Sequence, residues 1–168
     1  MKTVLTILTM SILLCTGCSA QTAVDNSVAG DLQLERYLGD WYEIARFDHS
    51  FERGIQFSKA NYTLRQDGKV QVLNSGVKNG KAKESKGKAK LTDDPRILRV
   101  SFFGPFYSDY RVMLLDPDYQ WVLVGGSSAK FLWILSRTPQ LPDDARSAIL
   151  SEATKRGYDV EKLIWVEQ

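Results

Sequence analysis

From Phe57 onward, turn residues cut the chain into short runs at close, even spacing. Phe57 to Arg65 stops at Gln66-Asp67-Gly68, and Lys69 to Val77 stops just before Asn79-Gly80. Lys81 to Leu91, Ile97 to Phe103, Phe106 to Leu115, Gln120 to Val124 and Lys130 to Arg137 follow, each ended by Gly, Pro or Asp. Asp-Gly and Asn-Gly are hairpin signals because their turns need residues that tolerate positive φ. With the run that starts at Trp41, the count is eight strands on short connections. The expected fold is an all-β, eight-stranded antiparallel up-and-down β-barrel, which leaves no open edge. A two-sheet sandwich is the structural alternative. Only then does a helix appear. Pro142-Asp143-Asp144 opens it against the positive end of its dipole, Ala145, Ile149, Leu150 and Ala153 form its apolar stripe, and Gly157 stops it. It should pack outside the barrel. Val160 to Val166 reads as a short final strand at the barrel edge.

The eight strands are led by Tyr37-Leu-Gly-Asp-Trp-Tyr-Glu-Ile-Ala-Arg-Phe47. Gly39 suits a tight lead-in turn because it has no Cβ to clash. A Trp at a strand entrance can plug the end of a small barrel, provided its N–H finds a partner. It can equally begin an ordinary core strand.

Residues 1–17 are expected to be a signal peptide rather than fold. Lys2 supplies the positive start, and Val4 to Leu14 is too short to span a bilayer as a helix. Leu13-Leu14-Cys15-Thr16-Gly17-Cys18 resembles the bacterial lipoprotein cleavage box, with Cys15 where Leu is usual. The resemblance implies that Cys18 becomes the acylated N-terminus and anchors the protein to a membrane. Ordinary signal cleavage near Ala20 to Ala23 is the alternative. With Cys18 acylated and Cys15 removed, the mature chain keeps no thiol for a disulfide, a nucleophile or a metal. Ser19 after the Cys, by resemblance to sorting in enterobacterial lipoproteins, implies the cell outer membrane, with the periplasmic face expected. Residues 18–31 then comprise the acylated Cys and a flexible tether, since Gln21 to Asp31 is small, polar and aperiodic.

Residues 32–168 have one domain's length and enough chain for a real core. A net charge of +2 makes no electrostatic case for nucleic acid. The lysines between Lys78 and Lys90 read as a solvated hairpin face or, alternatively, as a patch for an anionic surface. His49 is the single His, so no metal set forms around it. No Gly-x-Ser-x-Gly elbow is present, and a catalytic triad would have to draw every partner of His49 from elsewhere. No catalytic residue, cofactor or metal is therefore expected, and no enzyme.

Gly39-Asp40-Trp41 resembles the first lipocalin motif, Gly-x-Trp. Asp116-Pro117-Asp118-Tyr119 stands where lipocalins carry Thr-Asp-Tyr, keeping the acid and the Tyr. Arg137, at the end of the eighth strand, matches the lone Arg of the third motif. The runs Trp41 to Phe47, Phe51-Glu52-Arg53-Gly54, Ser101 to Phe106 and Leu132 to Pro139 are similar to the bacterial outer-membrane lipocalins of the apolipoprotein D-like branch. The resemblance covers the mature domain, 32–168. It implies a calyx closed at one end and open at the other, which binds a fatty acid such as palmitate, or a lysophospholipid, for storage or transport at the cell envelope. Oligomeric state stays open between monomer and homodimer. The rival readings are a lipid-modifying enzyme on the same barrel and a structural envelope lipoprotein whose barrel is filled.

In this picture Gly39, Trp41 and Arg137 form the structural closed end, with the guanidinium over the indole in a cation–π contact. Strand alternation then places Leu135, Trp133 and Phe131 on the inner face with Arg137. Trp133 is the first expected ligand contact. The same rule points Glu43 and Ala45 inward and leaves Glu43 open between an unfilled-cavity acid, a partner of Arg137 or a Tyr, and a residue outside the cavity altogether. It also sends Leu98, Val100 and Phe102 inward, with Tyr110, Val112 and Leu114 in the next strand, and Tyr62, Leu64, Val70, Val72 and Asn74 in earlier ones. The expected ligand-binding set is Trp133, Tyr110, Phe131, Phe102, Tyr62, Val72, Asn74, Val112 and Val100. Tyr110 is expected near the open end, where it would meet a head group. Phe102, Phe103, Phe106 and Tyr107 make an aromatic rim that meets membrane, ligand or a second subunit, or simply caps the barrel.

Overall fold

A computed structural model describes residues 23–168. The expected signal peptide and Cys18 lie outside these described residues. A single helical turn, α1 (Leu34–Tyr37), precedes eight long strands. These are β1 (Gly39–Arg46), β2 (Gln56–Leu64), β3 (Val70–Lys78), β4 (Lys81–Leu91), β5 (Ile97–Phe103), β6 (Phe106–Leu115), β7 (Trp121–Gly125) and β8 (Leu132–Ser136). Helix α2 (Asp143–Lys155), a 3-10 turn at Val160–Lys162 and the two-residue strand β9 (Ile164–Trp165) complete the chain. Each strand pairs antiparallel with the next, and β1 pairs with both β8 and β2, so the sheet closes into the expected barrel. The hairpin signals act as read: Asn79 and Gly80, at φ 53° and 70°, turn β3 into β4. No helix of the described residues is long and apolar enough to cross a membrane.

Two cores result from strand alternation. Inside the barrel lie Trp41, Tyr62, Val70, Val72, Leu98, Val112, Val124 and Leu135, among others. Outside it, α2 covers a second cluster with Ile149 and Ala153 on its buried stripe, against Met113, Leu123, Leu132 and Ile134 of the wall. The helix ends as read, with Gly157 at φ +87° and the Tyr158 amide donating to the Ala153 carbonyl at 3.0 Å.

The register shifts at four places among the described strands, and two of these shifts correct an expected direction. The β1–β8 register shifts between Glu43 and Ala45, so Ala45 joins the outer cluster and Arg46 takes the inward place. The β6–β7 register shifts between Val112 and Leu114, which turns Leu114 toward the outer cluster. Leu64 is half exposed at the end of β2 rather than part of the lining.

β1 and β2 pair only from Gly39 to Tyr42. Beyond that they part, and the end of the chain fills the seam. β9 pairs with Ala45 and Arg46, the Val166 amide donates to the Ile44 carbonyl, and the Phe57 amide donates to the Glu167 carbonyl. The Gln168 side-chain amide reaches the carbonyls of Glu43 and Ser58 at 2.7 and 3.1 Å. The expected final strand is thus shorter than its sequence run and lies along β1.

The segment read as tether is hydrogen-bonded to the barrel from Asp25 onward. The Asp25 amide donates to the Arg156 carbonyl, Asn26 donates to the Gly126 carbonyl, and the Ala29 amide reaches the Val112 carbonyl. Arg156, buried at the end of α2, holds the Ser27 carbonyl at 2.6 Å and that of Met113 at 3.0 Å.

Candidate functional site: the barrel interior and its mouth

The closed end is built on a backbone that only Gly39 adopts easily, at φ +93°. An added Cβ there would sit 3.5 Å from Nη1 of Arg137. The Arg137 guanidinium lies 3.8 Å from the Trp41 ring centroid. It donates to the carbonyls of Asp40, Arg36 and Tyr119 at 2.8, 2.7 and 3.2 Å. Trp41 is fully buried, and its indole N–H donates to the Tyr37 carbonyl at 2.8 Å. The Asp116–Tyr119 turn completes the floor. Asp116 accepts from the amides of Asp118 and Gln120, and the Tyr119 hydroxyl accepts from the Gln33 amide at 2.9 Å.

Above the floor the wall is mostly apolar, with polar groups in two layers. In the lower layer, the hydroxyls of Tyr37 and Tyr62 both meet that of Tyr110. Burial pushes all three phenols up, Tyr62 to about 12, so they stay neutral and serve as hydrogen-bond groups. Tyr110 is therefore a floor-facing residue and not the mouth residue expected. Asn74 stands on the inner face with its Oδ1 buried and unpartnered. Val72, Val100, Phe102 and Val112 line the wall as expected, and the Phe102 ring lies against Gly87, where a Cβ would come within 2.8 Å of it.

The upper layer was only half legible. Glu43 is buried on the inner face, bonded to the Arg46 guanidinium and accepting from the Ser58 hydroxyl at 3.3 Å. Burial raises the Glu43 carboxyl, and Arg46 opposes the rise. Arg46 also donates to the Glu52 and Ile55 carbonyls, each at 3.0 Å, which draws the β1–β2 loop (residues 47–55) inward over the mouth. Glu52 accepts from the Trp133 indole N–H at 3.1 Å. Burial, and then the nearby Glu43 charge, push the Glu52 carboxyl up to about 7. His49 is buried with its ring 5.2, 5.0 and 5.0 Å from those of Phe51, Phe131 and Trp133, and burial lowers its pKa. Trp133 and Phe131 thus share the inner face at the mouth, under the loop.

Arg46 and Glu52 were missed as site residues. In an unbroken strand Glu43 and Arg46 would face opposite sides, so only the bulge brings them together. Nothing local links Glu52 to Trp133, 81 residues away. Chemically, the interior offers apolar walls and neutral hydroxyls below. Above them lies one guanidinium paired with the Glu43 carboxylate and bonded to the Glu52 backbone carbonyl, while the Glu52 carboxyl takes the Trp133 indole N–H, under a loop held by these few polar bonds.

The chain matches the Lipocalin-like domain family model over residues 32–168. It is 47% identical over 156 residues to the outer membrane lipoprotein Blc of Escherichia coli K12, covering 90% of this chain and 88% of that one. It is 33% identical over 155 residues to apolipoprotein D of Mus musculus, covering 84% and 79%. Among solved structures, insecticyanin from the tobacco hornworm Manduca sexta superposes with a TM-score of 0.70 at 21% identity, covering 84% of each chain, which speaks to the fold alone.

Proposed function

This chain belongs to the lipocalin family, and we propose that it holds a single-chain lipid, a fatty acid or a lysophospholipid, inside its barrel at the bacterial cell envelope. One observation carries the reading: Val72, Val100, Phe102 and Val112 line an apolar wall that ends at a mouth where Glu43, Arg46, Glu52 and Trp133 gather the polar groups. Apolar walls with a few placed polar groups at one end suit an amphiphile with a single acyl chain. An acyl chain along Val72, Val100, Phe102 and Val112 would gain roughly 0.8 kcal/mol per buried methylene. A head group at the mouth would meet Arg46, Glu52 and Trp133. The protein acts by binding and releasing its ligand, and catalyses nothing. The relatives named as outer membrane lipoproteins support acylation at Cys18 and residence at the outer membrane.

A filled barrel is the second reading, favoured by the tyrosine layer and by the inward loop. Native mass spectrometry of the mature domain with palmitate and with a lysophospholipid separates the two. A one-to-one complex that weakens when Trp133 becomes Ala supports lipid binding at this mouth. Absence of any complex would establish the filled barrel.

A further inference from the structure

The open end carries features that the interior does not explain. At the tip of the β5–β6 hairpin, Phe103 and Phe106 flank Gly104-Pro105 and are 77% and 79% exposed, and Phe51 of the β1–β2 loop is 60% exposed. Rings as exposed as those of Phe103 and Phe106 do not cap the barrel, and Phe51 stacks one face on His49 while leaving the other to solvent. Beside them the outer part of the β3–β4 hairpin stands clear of the wall. β5 pairs with β4 only at Lys88 to Leu91, and residues 81–86 are exposed on both faces. This free part presents Lys81, Lys83 and Lys86, with Glu84 the acid among them. The two hairpins meet at Tyr107, whose ring takes Lys90 at 4.4 Å and Lys88 at 5.8 Å. Of the other nearby acids, Asp109 is paired with Arg99 and Arg111, and Asp48 with Arg53. The rim is thus aromatic and cationic.

The path of the N-terminal segment gives the rim a direction. β7 runs toward the open end and hands over to the β7–β8 loop at Gly126, where Asn26 is hydrogen-bonded. Asp25 sits at the end of α2, and Val24 lies against Gly157. The described chain therefore begins on the open-end side, at Ala23. Four residues separate Ala23 from Cys18, and the five steps between the two span at most about 18 Å at full extension.

We infer that the open rim, with Phe103 and Phe106 as wedges and Lys81, Lys83 and Lys86 as cationic contacts, docks on an anionic bilayer surface, so that the mouth faces the membrane. Aromatic wedges at the interface and lysines against acidic lipid are complementary to such a surface. The argument from chain path rests on the proposed acylation of Cys18, whereas the composition of the rim does not.

Two measurements test this, chosen so that anchoring and docking fail separately. The first uses the acylated protein in vesicles of phosphatidylethanolamine and phosphatidylglycerol, with an environment-sensitive fluorophore on Phe106→Cys or, as the closed-end control, on Asp118→Cys. Bilayer-depth quenchers should quench the first label at least five-fold more than the second. Equal quenching, or stronger quenching at the closed end, overturns the inference, whereas a protein that carries no acyl mass and does not enter vesicles refutes only the anchor. The second uses the processed chain with Cys18→Ser in vesicle flotation. Binding should require phosphatidylglycerol and should fall about ten-fold in Phe103→Ser/Phe106→Ser and in Lys81→Glu/Lys83→Glu, with circular dichroism unchanged. Binding that ignores both pairs overturns it, as does no binding together with concentration-dependent dimers through the same Phe residues.

Discussion

Arg137 and Glu52 are the two single residues whose surroundings make the sharpest demands. Arg137 stacks on Trp41 and serves three carbonyls at once. Arg137→Ala loses the cation–π contact and leaves those carbonyls without a donor. The expected loss is about 2–4 kcal/mol in urea unfolding. Arg137→Lys should recover only part of it, because an ammonium cannot reproduce the planar fork. Glu52 is raised in the folded protein to about 7, so the native state binds its proton more tightly than the unfolded chain does. Its neutral form therefore supports the folded state at low pH, and that support is lost as pH rises through 7. Calorimetric melting midpoints across pH 5 to 8 should show the native protein declining relative to Glu52→Gln, roughly from pH 5 upward. Trp133 fluorescence should shift over the same range as the loop loosens, and should not shift in the variant.

At the scale of elements, the two cores can be separated by substitution. Ile149 of α2 is fully buried in the outer cluster, so Ile149→Ala should cost about 2–4 kcal/mol of stability while leaving lipid affinity unchanged. Trp133→Ala should do the reverse, with a fall in affinity read by native mass spectrometry. The strands themselves were legible, since turn chemistry ended each one: the expected and observed runs at Lys81–Leu91, Ile97–Phe103 and Phe106–Leu115 have the same bounds. The inner face was legible where alternation held, as for Val70, Val72, Leu98, Val112 and Leu135. It was not legible where closing the barrel forced an extra residue into a strand. The bulges after Glu43 and Val112 answer to neighbours on β8 and β7, far along the chain, and carry no local signature. That is why Ala45 and Leu114 turned outward and Arg46 went unnoticed. Tyr110 was placed at the wrong height because alternation gives a face but not a depth, and α1, which brings Tyr37 up beneath it, is a single turn without periodicity.

For the whole molecule, the features point one way along the barrel axis. The floor is sealed by Trp41, Arg137 and the Asp116–Tyr119 turn, while the loop, the rim and the start of the described chain gather at the other end. The wall between β1 and β2 is completed by Gln168, whose partner Glu43 lies 125 residues earlier. Each hairpin can form as soon as its own two strands exist, but contacts over such a separation carry the largest loop-closure cost and come late. Before residues 164–168 dock, the molecule holds every hairpin and still has a gap beside β1. Folding of the barrel thus finishes with a latch, the docking of residues 164–168 along β1, rather than with the closing of any hairpin.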